Sequence, residues 1–227
     1  MNKIINFEND TSEANVVLIT GDTGSGKSIL MKEIIHECSF NPSNTIFVFD
    51  SEGEYENDLY ITHDMNKIPM EVLANVILTS IENKYRVRFD FSKCENEKSV
   101  SFSKVIDIFN SLREDQDSVH LFIDSIGAFI NGNSSDDFLE ILIKSRKRFR
   151  SSYLISQRFR SLNKEIMTRC NLFLLGENKN PFDTEMKSKH LGVNRKYVLN
   201  CNRYEFIKYE GNYNNLPCKV KVNFGEK

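Results

Sequence analysis

Eight consecutive residues, Gly21-Asp22-Thr23-Gly24-Ser25-Gly26-Lys27-Ser28, constrain this chain more than any other stretch. They follow the apolar run Val16-Val17-Leu18-Ile19 and precede Ile29-Leu30-Met31-Lys32-Glu33-Ile34-Ile35. That is the strand, loop and helix setting in which G-x-x-x-x-G-K-[ST] binds phosphate. The three glycines allow a tight turn whose N–H groups converge on an anion at the positive end of the next helix. Lys27 reaches the β and γ phosphates as a point charge, and Ser28 offers its hydroxyl to Mg²⁺. A glycine-rich turn with an unrelated lysine is the competing reading, and it leaves the two matching flanks unexplained. The stretch predicts a bound nucleoside triphosphate, contacted by Gly21, Asp22, Thr23, Gly24, Ser25, Gly26, Lys27, Ser28 and Ile29.

A length of 227 residues fits one large domain, and 40% hydrophobic residues suffice for its core. The five cysteines, Cys38, Cys94, Cys170, Cys201 and Cys218, are odd in number and lack C-x-x-C spacing. They read as reduced thiols of an intracellular protein and argue against zinc. The N-terminus lacks a secretory apolar core, and no stretch approaches the roughly eighteen apolar residues of a membrane span. A cytoplasmic chain without an integral membrane segment is expected. The net charge of −2 argues against a generally basic nucleic-acid binder.

Residues 1–14 read as a polar lead-in to a strand at 15–20. The helix after the loop should end before Asn41-Pro42. Thr45-Ile46-Phe47-Val48-Phe49, ending at Asp50, reads as a buried strand broken by Ser51-Glu52-Gly53-Glu54-Tyr55. Residues 58–92 read as a peripheral, strand-rich insert, with strands at Ile77-Leu78-Thr79 and at 85–91. Residues 99–113 have helical spacing, with Val100, Phe102, Val105, Ile106, Ile108, Phe109 and Leu112 apolar. Residues 134–149 do too, with Ser134 or Ser135 as cap and Phe138, Leu139, Leu142 and Ile143 on one face. Strands at 119–123, 152–156 and 172–175 and a short helix at 162–169 complete a core of about 15–176. Strands alternating with helices mean a parallel sheet covered on both faces. The tail, about 197–227, reads as an edge hairpin of strands at 203–209 and 218–222 around a turn at 211–215.

Asp124 ends the strand Val119-His120-Leu121-Phe122-Ile123. Behind a phosphate loop such a carboxylate holds the Mg²⁺ shell beside Ser28, although on its own it would read as a helix cap. Gln157 ends the strand at 152–156, in the crevice where open α/β sheets bind ligands. An amide there can position water or sense the γ-phosphate, or simply start a loop. Lys144, Arg146, Lys147, Arg148, Arg150, Arg158, Arg160, Lys164 and Arg169 face only Glu165 in one window. So lopsided a run favours a surface for a phosphate backbone, or an arginine completing a neighbour's site, over an ordinary solvated face.

Four segments together resemble the HerA/FtsK superfamily of DNA-pumping ATPases, most of all its small genome-packaging members from double-jelly-roll viruses and phages. They are the phosphate loop; Val48-Phe49-Asp50-Ser51-Glu52-Gly53-Glu54-Tyr55; Leu121-Phe122-Ile123-Asp124; and Ser145-Arg146-Lys147-Arg148-Phe149 through Leu154-Ile155-Ser156-Gln157-Arg158 to Cys170-Asn171. The resemblance implies a RecA-like, ASCE-type P-loop fold in a single domain spanning 1–227. It implies an ATPase using ATP and Mg²⁺, with Lys27, Asp124, Gln157 as sensor and Arg146 as arginine finger in the catalytic set. It further implies a homo-oligomeric ring, expected as a hexamer, that drives double-stranded DNA into a preformed capsid and meets capsid or packaging-vertex proteins in the host cytoplasm or at the virion vertex.

The chain departs from the pattern at Ser125, where the family usually carries the glutamate that polarises water, and at Phe159, where it carries proline. Serine cannot act as the base, so a carboxylate of the strand-two loop is expected to substitute, Glu54 first and Glu52 second. A conjugation or filamentous-phage assembly ATPase, a nucleotide kinase and a nucleotide-gated switch are the competing functions.

Overall fold

In the computed structural model, which describes residues 15–94, 98–112, 119–130, 134–148, 151–192, 194–199, 201–210 and 218–222, β1 (Asn15–Thr20) enters the phosphate loop and α1 (Lys27–Ser39) leaves it. Then come β2 (Thr45–Asp50), β3 (Ile61–Asp64), α2 (Met70–Glu82), β4 (Arg86–Asp90), α3 (Lys98–Ser111) and β5 (Val119–Ile123). The chain continues through α4 (Ile126–Phe129), α5 (Ser134–Arg148), β6 (Ser151–Ser156), a 3-10 turn (Phe159–Ser161), α6 (Lys164–Arg169) and β7 (Leu172–Gly176). It closes with α7 (Pro181–Leu191), α8 (Arg195–Leu199), β8 (Glu205–Glu210) and β9 (Cys218–Lys221).

The nine strands among the described residues join one sheet in the order β3-β4-β2-β5-β6-β1-β7-β8-β9. The first seven in that order run parallel, and β8 and β9 are antiparallel additions at the edge. β1 lies between β6 and β7, with Val17 level with Tyr153 and Leu172. Its side chains divide the core. Val16 and Leu18 join the apolar layer beneath α2, α3, α5 and α6, whereas Val17 and Ile19 join the layer beneath α1. Strands buried on both faces carry continuous rather than alternating apolar runs, which is why β1, β2 and β5 stood out in the sequence. The result is an α/β fold with a mainly parallel sheet, helices on both faces and a terminal hairpin.

Several sequence expectations need correction. Ile77-Leu78-Thr79, expected as a strand, lies inside α2. Leu73, Ile77, Ser80 and Ile81 are its buried residues, a stripe at i, i+4, i+7 and i+8 that a three-residue window cannot reveal. On α5 the buried face uses Ile141, and Ile143 is 47% exposed. Val100 in the first turn of α3 is also half exposed. The segment containing α2 places β4 directly against β2 in the main sheet. α7 and α8 went unforeseen, although Asn180-Pro181 and Gly192 flank α7. The Asn180 side chain accepts bonds from the N–H groups of Phe182 and Asp183, and Gly192 ends the helix at φ 65°. The expected lead-in at 1–14 and the turn at 211–215 lie outside the described residues, as do the side chains of Ser134 and Ser135.

Candidate active site

The phosphate loop bridges β1 and α1, so its curvature is dictated by the ends of two buried elements. Gly24 and Gly26 take φ 79° and 98°, the left-handed region where a side chain is strained. At Gly26 a Cβ would also stand 2.6 Å from Tyr204 Cδ1. Asp22 anchors the turn: its carbonyl accepts from the Ser25 N–H at 3.1 Å, its own N–H donates to the Glu177 carbonyl at 2.8 Å, and its Oδ2 accepts from the Lys179 N–H at 2.6 Å. Lys27 Nζ donates to the Asp22 carbonyl at 2.8 Å, folding back over its own loop. Burial pulls the Lys27 ammonium below its ordinary value, while Asp124, Asp22 and Glu54 pull it back up. An arriving phosphate would find that cation already in place.

A cleft of about 300 Å³ opens above the loop, lined by Thr23, Gly24, Gly26, Lys27, Ser28 and Ile29. Glu52, Glu54, Asp124, Ser125 and Gln157 also line it, as do Arg203 and Tyr204. Gly21 and Ser25 are buried and Asp22 half-buried, outside that lining. These groups meet because β1, β2, β5 and β6 are parallel and present their carboxyl ends together.

The strand-two loop is built on the fully buried carboxylate of Asp50. Oδ1 accepts the N–H groups of Glu52, Gly53 and Glu54 at 3.2, 2.8 and 3.1 Å, and Oδ2 accepts that of Tyr55 at 3.0 Å. Arg88 Nε completes the set at 2.8 Å from Oδ2. This clamp escaped the sequence reading because Arg88 arrives on β4. It aims the two glutamates differently. Glu52 Oε1 lies 3.8 Å from Lys98 Nζ, whereas Glu54 makes no ion pair among the described residues and acts on Lys27, Tyr55 and Asp124.

Asp124 is almost fully buried. Burial raises its carboxyl to about 7, Glu54 and Asp50 add to the rise, and the Ser125 N–H and Lys27 oppose it. Ser125 follows at φ 55° and opens α4. With Asp50 already paired to Arg88, Asp124 and Glu54 act on one another beside Lys27 alone among the lysines and arginines that act on Asp124, a donor set short of positive charge. Mg²⁺ takes few protein ligands and keeps water and phosphate oxygens as the rest. Ser28 and Asp124, both lining the cleft, therefore fit it, and a bound Mg²⁺ would neutralise charge developing on transferring phosphate oxygens.

Gln157 is exposed in the cleft at the end of β6. Arg146 is elsewhere. It lies in the last turn of α5, which feeds the amino end of β6, the end of the sheet remote from the cleft. Its side chain lies outside the described residues, as do those of Lys144, Lys147, Arg148 and Arg150. Arg158, Arg160, Lys164 and Arg169 are exposed on the segment just after Gln157. Arg203 and Tyr204 were missed altogether, since nothing local marks residues that reach the loop from about 180 positions away.

The family model for the central domain of the helicase HerA matches residues 15–201. The chain belongs to this family. It is a HerA/FtsK-type P-loop ATPase, and its sheet agrees with solved relatives. The genome packaging NTPase B204 of Sulfolobus turreted icosahedral virus 2, in complex with AMPPCP, superposes with a TM-score of 0.70 at 15% identity, over 93% of this chain and 98% of that one. The bacterial conjugative coupling protein TrwB gives 0.71 at 12% identity, over 94% and 86%. VirB4 of Thermoanaerobacter pseudethanolicus gives 0.63 at 12% identity, over 93% and 90%. No curated protein matches the sequence. Among the described residues no helix is long and apolar enough to cross a membrane.

Proposed function

We propose that this ATPase couples hydrolysis of Mg²⁺-ATP to translocation of double-stranded DNA, packaging a viral genome into a preformed capsid as a homo-oligomeric ring. The observation that carries the reading is the nearly end-to-end superposition on B204, a genome-packaging NTPase, over 98% of its length. In this reading Lys27 neutralises the phosphates, Ser28 and Asp124 hold Mg²⁺, Glu54 orients the water, Gln157 senses the γ-phosphate and Arg146 serves a neighbouring subunit. The exposed Arg158, Arg160, Lys164 and Arg169 support a DNA-facing surface beside the sensor. The equal likeness to TrwB favours, as a second reading, a motor of the conjugative type.

ATP turnover with and without long duplex DNA tests the motor. DNA should stimulate hydrolysis, and the stimulated part should fall steeply between about 50 and about 200 mM salt, because phosphate contacts release condensed counterions. Basal hydrolysis should change much less. A nucleotide kinase would be indifferent to DNA, so turnover unaffected by duplex at any salt would overturn the proposal. ATP-dependent protection of duplex DNA from nuclease by empty capsid shells then separates packaging from a conjugative role.

A further inference from the structure

The cleft has two flanks. The groups suited to the γ-phosphate, Asp124 and Gln157, stand at the ends of β5 and β6 on one side of β1. On the other side β8 runs antiparallel to β7, with Phe206 level with Gly176, so the start of β8 is delivered to the loop. Two residues there are fastened to it. The Tyr204 N–H donates to the Ser25 carbonyl at 3.1 Å, and Arg203 Nε donates to the Gly24 carbonyl at 3.0 Å. The Arg203 guanidinium carbon lies 4.8 Å above the Tyr204 ring centroid. Tyr204 adopts φ 65°, a conformation rare for a residue with a side chain. The Val222 N–H bonding its carbonyl at 3.1 Å and the ring against Gly26 hold it there.

A triphosphate whose γ end lies between Asp124 and Gln157 directs its nucleoside toward this opposite flank. There it meets a flat, delocalised cation that is exposed on one side and backed by an aromatic ring on the other. We propose that Arg203, backed by Tyr204, is the nucleobase platform of this ATPase and grips the base by its face. The inference rests on reading the P-loop cleft as a nucleotide site and does not depend on DNA translocation. A guanidinium plane stacks on any π-face, as a lysine cannot.

The experiment compares two probes, a non-hydrolysable ATP analogue and inorganic tripolyphosphate, each with Mg²⁺, by titration calorimetry. Tripolyphosphate carries the same phosphates without a base. Arg203→Ala should weaken the ATP analogue roughly 10- to 100-fold, the range of a lost base stack, and leave tripolyphosphate within about twofold. Arg203→Lys should fail to restore the analogue, because it returns the charge without the plane. Tyr204→Phe should bind like the parent, since the ring rather than the hydroxyl backs the guanidinium. Equal losses for both probes would mean that Arg203 merely braces the loop through Gly24, and unchanged binding of both would place the base elsewhere. Either result overturns the proposal, as would rescue by lysine. Failure of both probes to bind the parent protein would sink the nucleotide reading itself.

Discussion

Five hydrogen bonds converge on the Asp50 carboxylate, more than the roughly four lone-pair directions of its oxygens accommodate separately. No acceptor site remains for an attacking water, so Asp50 shapes the strand-two loop and does not serve as a base. Glu52 is drawn toward Lys98, and Ser125 has no carboxylate to offer. By elimination within the cleft, Glu54 is the group we expect to orient the water. Glu54→Gln should lower turnover by about 10²-fold or more while ATP affinity stays near that of the parent. Glu52→Gln and Ser125→Ala should change turnover little. Steady-state kinetics with parallel binding measurements checks the split between kcat and affinity, and a fully active Glu54→Gln variant would remove it from the catalytic set.

At the scale of elements, α7, which packs against α8 and the 3-10 turn, carries Lys187, whose side chain is fully buried. The charges that act on its ammonium are Asp183 on its own helix, Asp22 and Lys27 in the loop region, and Cys201 before β8. Burial dominates and lowers the lysine from 10.5 to about 8. The folded protein thus releases this proton at lower pH than the unfolded chain does. Between about 8 and 10.5 the unfolded state binds more protons, so this group makes stability rise with pH, and below 8 its full cost is present. Compared with Lys187→Met, the parent should therefore gain up to roughly 3 kcal/mol of relative stability across that window. Denaturant midpoints of both proteins at matched pH read the difference directly. The absolute effect at pH 7 also includes the loss of Lys187's attraction for Asp183, which keeps the Arg160 guanidinium at 3.9 Å. A difference that stays flat from pH 8 to 10.5 would show that Lys187 ionises as an ordinary lysine.

For the whole molecule, the direction of the strands decides what Arg146 can do. It stands at the amino end of β6, and the cleft lies beyond the carboxyl end, a six-residue strand or about 20 Å away. Arg146 can complete an active site only across a subunit boundary. Arg146→Ala and Lys27→Ala should each be inactive alone, the second because transferring phosphate oxygens lose their compensating charge. Mixed, they should recover part of the hydrolysis, since some junctions pair an intact loop with an intact arginine. A characterised finger is worth on the order of 10³ in rate, so the recovery should stand well above background. Mixtures that co-assemble on gel filtration yet stay inactive at every ratio would count against a finger in trans. Full activity of Arg146→Ala alone would exclude it outright.

What was legible beforehand follows from how local each signal is. The phosphate loop, β1, β2, β5, β6 and β7 are short buried runs whose composition alone marks them, and Lys27, Ser28, Asp124 and Gln157 sit at their ends. Helix α2 was misread because Ile77-Leu78-Thr79 looks like a strand until Leu73 and Ile81 are included, a matter of window length. The ordering of the strands, the Arg88 clamp on Asp50, the burial of Lys187 and the approach of Arg203 and Tyr204 to Gly24 and Gly26 were beyond reach. Each depends on a contact between distant parts of the chain, and such contacts exist only once the sheet has closed and β8 has turned back along β7. Local physical chemistry in the sequence thus determined that there is a phosphate site and which residues stand at its mouth. Tertiary structure alone decided which carboxylates are clamped or ion-paired, what lies across the cleft from Asp124 and Gln157, and that the helical turn carrying Arg146 stands at the end of the sheet remote from its own cleft.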